Sequence, residues 1–235
     1  MYEQASREST FKKLASQSAL PPLPGDAYIQ IGLGSLADCD TGGRVWDSAA
    51  VLCKWLQGRV CELSEGRGIL ELGCGTGAVG IYAAALGAPR VTLTDGGSAA
   101  LLALAAANVE ANSALWAKTG TVCVARHAWG EAASSPALCG HDIIVASDVT
   151  YATHAHAALC STLAAQLREH SPGARAVIAH QHRIAIDEQG NEQDERMCSF
   201  LGEAEAIGLR VTVTHRESVG RGGRDVSLLL VEDTR

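Results

Sequence analysis

Apolar positions along this chain change their spacing several times, and the changes divide it into short elements. Residues 1–25 read as an irregular lead-in ending in Pro21-Pro22-Leu23-Pro24-Gly25. Tyr28–Ile31 and Arg44–Trp46 then predict two short strands around a turn rich in glycine and aspartate. Val51, Leu52, Trp55 and Leu56 fall at helical spacing and predict a helix over Ser48–Leu56. From Gly68 the pattern repeats. Gly68–Leu72 is an apolar run closed by glycines, as suits a strand buried on both faces. Thr76–Leu86 is helical and stops at Gly87. There follow a strand at Val91–Thr94, a helix at Ala99–Asn112, strands at Thr121–Ala125 and Asp142–Ser147, a helix at His154–Glu169 and a strand at Ala174–Ala179. A last helix covers 192–207, and Leu209–His215 and Asp225–Val231 form two strands joined by the turn 218–223.

Strands alternating with helices imply one doubly wound α/β domain over residues 26–235, a parallel sheet with helices on both faces. No helix separates the two final strands, so the last is expected to run antiparallel.

Composition narrows the class. The chain of 235 residues suits one large domain, and its 47% of apolar residues contain no run of the ~18 that a membrane span needs. The start, MYEQASRESTFKK, has no apolar segment behind a basic end and does not read as a secretory signal. Eight cysteines without a C-x-x-C pair read as reduced, mostly buried thiols of a cytoplasmic protein, with the nucleus as a second location. A formal charge of −7 argues against bulk nucleic-acid binding and fits a basic protein partner better. The expectation is a monomer without a membrane or metal. His154-x-His156 and His180-x-His182 lack a third ligand at a recognisable spacing and read as surface or helix-start histidines.

The most informative stretch is Glu71-Leu72-Gly73-Cys74-Gly75-Thr76-Gly77-Ala78-Val79-Gly80. Glycines between a strand and a helix let backbone approach a ligand closely. Gly75-x-Gly77-x-x-Gly80 also fits a dinucleotide turn, so it does not by itself choose the ligand. Glu71 tilts the choice: a carboxylate there can meet the α-ammonium group of S-adenosylmethionine and would repel a pyrophosphate. Asp95, ending the second strand, is placed to accept from ribose hydroxyls in either case.

Four segments together resemble the seven-β-strand protein lysine methyltransferase family, which includes the enzyme acting on valosin-containing protein. They are Gly43–Ala49 with its Trp46-Asp47 pair, the turn Glu71–Gly77, Thr94-Asp95 with Asn108-x-x-x-Asn112, and Ser147-Asp148-Val149-Thr150-Tyr151. The likeness runs from about Gly43 to the last strand. It implies a Rossmann-like sheet of seven strands, S-adenosylmethionine as cofactor and a lysine of a protein as methyl acceptor. It also implies a cofactor pocket of Trp46, Glu71, Gly73, Gly75, Gly77, Asp95, Trp129 and Ser147. One departure stands out: the family often has an acid before the second Trp, where this chain reads His127-Ala128-Trp129. The resemblance therefore gives no acidic contact to the adenine amino group there.

Asp148 and Tyr151 are the residues expected at the methyl-acceptor rim. The alternative is an Asp that caps the next helix and a Tyr packed on its first turn. Arg183 follows the fifth strand where the family often has Arg, and is expected to shape the substrate cleft. Three other functions remain open on the sequence: methylation of another side chain or a small molecule, an NAD-linked oxidoreductase, and a cofactor-binding scaffold without catalysis.

Overall fold

The computed structural model describes residues 20–118, 120–133, 135–186, 192–219 and 224–235. The lead-in before residue 20 and the turn residues 220–223 lie outside them. Seven strands form the main sheet: β1 (Ile69–Leu72), β2 (Arg90–Asp95), β3 (Thr121–Arg126), β4 (Ile143–Ser147), β5 (Arg175–Gln181), β8 (Leu209–Val219) and β9 (Arg224–Asp233). Two short strands, β6 (Ala185–Ile186) and β7 (Glu192–Gln193), pair apart from it. The order in the sheet is β3-β2-β1-β4-β5-β9-β8. Strands β1 to β5 run parallel, and β9 lies antiparallel between β5 and β8. The antiparallel last strand is as expected.

Around the sheet lie α1 (Leu36–Cys39), α2 (Asp47–Gln57), α3 (Val60–Glu65), α4 (Ala78–Ala85), α5 (Ala99–Asn112), α6 (His156–Ala165) and α7 (Glu195–Ala206). Alternate residues of each central strand point to opposite faces. Ile69, Val145, Val177 and Leu228 pack in one cluster with Leu52 and Leu56 of α2 and with Ile81 and Tyr82 of α4. Leu70, Ile144, Ile178 and Leu229 pack in the other with Leu159 and Leu163 of α6 and Phe200 of α7. Leu20 and Leu23 belong to the first cluster, so the end of the lead-in packs on the core.

The sequence reading needs correction in three places. Tyr28–Ile31 and Arg44–Trp46 are not strands, because no strand among the described residues lies beside them. Two asparagines of α5 take the place of a partner: Asn112 bonds Gln30 N and O, and Asn108 bonds Gly32 N and O. The turn between them folds into α1 and a 3-10 helix at Asp40–Gly43. The helix expected from 154 runs as α over His156–Ala165 and ends in a π-helical turn, Gln166–His170. The last helix begins at Glu195, since Glu192 and Gln193 pair with β6.

Candidate active site

Crossovers leave β1 and β4 in opposite directions, so their carboxyl ends open a crevice at the switch in strand order. The glycine turn after β1 and the loop Asp148–Tyr151 after β4 thereby become neighbours. A cleft of about 890 Å³ lies between them, within the range of small-ligand sites. Its walls include Trp46, Glu71, Gly73, Gly75, Asp95, Trp129, Ser147, Asp148 and Tyr151. Of the expected site residues, only Gly77 stands back from the wall. It precedes α4 at φ 79, where a Cβ would come within 2.9 Å of Leu93.

Gly75 has φ 53, and a Cβ there would come within 2.7 Å of the Gly42 carbonyl oxygen. The glycine is therefore required by the segment that roofs the cleft as well as by any ligand. Asp95 fixes the turn from the other side. Its Oδ2 accepts from Gly75 N at 2.9 Å and its Oδ1 from Gly97 N at 2.8 Å. A carboxylate offers about four lone-pair sites, so capacity remains for two hydroxyls.

Glu71 is 2% exposed and accepts from Gly80 N at 2.8 Å. Burial pushes its carboxyl up to about 8, with the nearby Asp95 adding to the rise, against the pull of that one amide. A buried carboxyl on a cleft wall with so little compensation suits a cationic group. Burial likewise pushes the Cys74 thiol well up, which removes it as a nucleophile.

Trp46 and Trp129 are both half-buried and line the cleft, and Trp129 also packs against the second core cluster. Trp46 Nε1 donates to Thr41 O at 3.2 Å, and the Trp129 ring packs where a Gly73 side chain would stand. Ser147 Oγ lies 2.9 Å from the buried Ser48 Oγ of α2. Ala128 lines the cleft in place of an acid.

On the opposite wall, after β4, Asp148 is 5% exposed and has φ 52. It caps no helix; Arg183 grips both its oxygens, at 2.8 and 2.6 Å. Arg183 itself does not line the cleft and meets it only through Asp148. Tyr151 is 43% exposed, and its hydroxyl accepts from Thr41 Oγ1 at 3.4 Å. It is not packed away as a helix-turn residue.

Sequence reasoning missed the roof: residues 36–42 line the cleft, with Ser98 Oγ holding Asp38 O at 2.7 Å. Its only signal was the Gly- and Asp-rich composition, which reads equally as a turn. His154 is exposed and His156 opens α6, as the helix-start expectation has it, whereas His180 is not a surface residue. His156 and His180 are fully buried, His182 is partly buried, and Asp194 approaches both His180 and His182 at 2.9 Å. Of the thiols, Cys39, Cys53, Cys74 and Cys160 are buried, while Cys61, Cys123 and Cys198 are exposed.

A family model described as lysine methyltransferase matches residues 31–201. The chain belongs to the lysine methyltransferase family. It is 37% identical over 157 residues to protein N-lysine methyltransferase METTL21A of Danio rerio, a match that covers 67% of this chain and 65% of that relative. The matched region thus falls just short of two thirds of the relative's own length. Solved structures share the fold at low identity. The CcbJ methyltransferase of Streptomyces caelestis superposes with a TM-score of 0.54 at 16% identity, covering 84% of this chain and 96% of that one. The glycopeptide N-methyltransferase MtfA, complexed with sinefungin, gives 0.53 at 15% identity and covers 77% and 92%.

Proposed function

We propose that this protein transfers the methyl group of S-adenosylmethionine to a lysine side chain of a protein. The observation that carries the reading is the joining of two half-sites in one cleft: the Glu71–Asp95–Gly75 wall and the Asp148–Tyr151 loop. The family and the METTL21A relative named a protein N-lysine methyltransferase support it.

The residues fit the cofactor. Glu71 presents a buried carboxyl that an ammonium would hold ionised, Asp95 keeps acceptor capacity for ribose hydroxyls, and the glycines leave backbone exposed between them. Trp46 and Trp129 offer flat apolar surface. When bound, S-adenosylmethionine supplies a methyl group on a sulfonium, open to direct displacement by a neutral amine.

The chain's own work is to orient and to exclude water. Alignment of reactants of this sort supplies up to ~7–11 kcal/mol. Besides Glu71 and the Arg183-paired Asp148, the cleft wall carries Asp38, Asp40 and Asp95 against Arg44, a balance that favours a cationic side chain. Burial within the cleft lowers the pKa of an incoming ammonium and favours its neutral form. Tyr151 stands at the mouth, where its ring and hydroxyl guide the acceptor amine.

The proposed location is the cytoplasm, with the nucleus second; the eight free cysteines support a reducing compartment. No described helix is long and apolar enough to cross a membrane. The test is incubation of a cell lysate with the protein and radiolabelled S-adenosylmethionine. Label recovered as methyllysine from a protein band is the expected result. Label confined to small molecules, or to another side chain, would replace lysine as the acceptor.

A further inference from the structure

Behind the acceptor loop lies a buried polar cluster that takes no part in the cleft wall. Thr150, His156 and His180 are each fully buried. Thr150 Oγ1 lies 2.5 Å from His180 Nδ1, and Thr150 O lies 3.0 Å from His156 Nε2. His180 Nε2 lies 2.9 Å from Asp194 Oδ2, and His156 Nδ1 lies 2.9 Å from Ser199 Oγ.

Hydrogen-bond chemistry assigns the protons. A carbonyl oxygen only accepts, so His156 donates from Nε2 to Thr150 O, while its Nδ1 faces the Ser199 hydroxyl. Ionised Asp194 also only accepts, so neutral His180 carries its proton on Nε2 and leaves Nδ1 to accept from the Thr150 hydroxyl. Desolvation lowers the pKa of His180. Desolvation opposes ionisation of Asp194, but His180 and the amides of Met197 and Arg183 hold its carboxyl down at about 2. Both directions agree with a neutral imidazole beside a carboxylate.

We infer that Asp194, His180 and His156 are positioning residues that lock Thr150 from both sides and thereby fix Asp148 and Tyr151 at the acceptor rim. Each loop residue with a polar handle is held: Asp148 by Arg183, Thr150 by the two histidines, and the Tyr151 carbonyl by Arg196 Nε at 3.0 Å. Without such support, Asp148 would have little reason to keep a left-handed conformation that non-glycine residues adopt at a cost. The inference rests on the acceptor-rim reading of this loop.

His180, His182 and Asp194 also place their facing atoms within 4.8 Å of one another, the arrangement of a three-ligand metal site. Hydrogen bonding already accounts for every ring nitrogen, since His182 Nδ1 faces Asp194 and its Nε2 faces Ser227 Oγ at 2.8 Å.

The decisive variants are Asp194→Asn, Thr150→Val and Thr150→Ser in the full chain. In the wild type both Asp194 oxygens accept, Oδ1 from Met197 N and Oδ2 from two histidines and Arg183 N. Asp194→Asn therefore sets a donor against donors whichever way it turns. Nitrogen-15 spectra of the wild type should show His180 protonated on Nε2 alone. Initial rates of labelled methyl transfer into lysate proteins, at saturating cofactor, should fall about tenfold in Asp194→Asn and Thr150→Val. S-adenosylhomocysteine affinity should change less than threefold in both, and Thr150→Ser should keep at least half the rate.

A wild-type rate in Thr150→Val, with Tyr151→Phe inactive, would overturn the positioning role and leave the acceptor rim standing. Wild-type rates in all of them, Tyr151→Phe included, would overturn the rim and this inference together. One equivalent of zinc in the purified protein, with His180 Nε2 unprotonated, would replace the hydrogen-bonded trio by a metal site.

Discussion

Arg183 approaches Asp148 through two parallel contacts, Nη1 to Oδ1 at 2.8 Å and Nη2 to Oδ2 at 2.6 Å. With both its oxygens engaged by the guanidinium, Asp148 is tied to the shape of the loop. On the proposed acceptor-rim reading, the exposed group that faces the acceptor is the Tyr151 hydroxyl. Tyr151→Phe is expected to bind S-adenosylhomocysteine within about 1 kcal/mol of wild type and to lose most methyl transfer. Asp148→Ala should cost about 1.5–3 kcal/mol of stability, because it strands Arg183. Calorimetry, labelled transfer and thermal melts measure the three effects. An undiminished rate in Tyr151→Phe would leave the ring with a packing role alone.

Glu71 gives a pH signature. Its carboxyl is raised to about 8, so at pH 7 it is protonated in the free protein. An ammonium-bearing ligand stabilises the ionised form, and binding should release close to one proton. Calorimetric titration of S-adenosylhomocysteine at pH 7 in phosphate and in Tris would show a buffer-dependent enthalpy, absent in Glu71→Gln. The same group affects folding. An unfolded carboxyl titrates near ~4.3, below the folded value, so the unfolded chain loses this proton first. The stability from the neutral buried form is full below ~4.3 and is lost as pH rises towards 8. Melting temperature should fall across that window more steeply in wild type than in Glu71→Gln. Parallel pH curves for the two proteins would contradict the burial of an uncompensated carboxyl.

Gly75→Val tests the turn. The substitution demands φ 53 of a branched residue and drives its Cβ against Gly42 O. Loss of at least tenfold in S-adenosylhomocysteine affinity is expected, with the far-ultraviolet circular dichroism near wild type, since the clash touches one short 3-10 turn and leaves the sheet and α-helices clear. Normal binding in a folded Gly75→Val protein would move the cofactor elsewhere.

The central sheet was legible because its strands announce themselves: Ile69–Leu72 is buried throughout and stands between glycines. The site residues were legible through the turn after β1 and the segment after β4, which sit where open sheets bind ligands. Residues 28–46 were not. Extended backbone there looks like strand, but its partners are the side chains of Asn108 and Asn112, 76 and 82 residues away from the groups they bond. The buried His180 was misread for a related reason. The third member of its cluster, Asp194, comes from the far side of an intervening hairpin, and no local spacing reveals it.

Asn108 links three parts of the site, bonding Gly32 N and O and also Thr76 O of the glycine turn at 2.9 Å. Asn108→Ala leaves those backbone groups without a partner. A loss of about 1–3 kcal/mol of stability is expected, together with weaker cofactor binding. Amide hydrogen exchange should quicken at Gly32 and Gly34 more than in β1. Unchanged exchange at Gly32 would mean that the roof is held by something other than this amide.

The place of β9 has a consequence for how the chain is made. Residues 224–233 lie inside the sheet, and β8 reaches the other strands only through them. During synthesis β5 therefore presents an open, apolar edge until residues 224–233 have emerged, and until then β8 has no partner in the sheet. Such an edge is a template for pairing with another chain. A shortened product ending before Arg224 would keep the whole glycine turn and still be prone to aggregate.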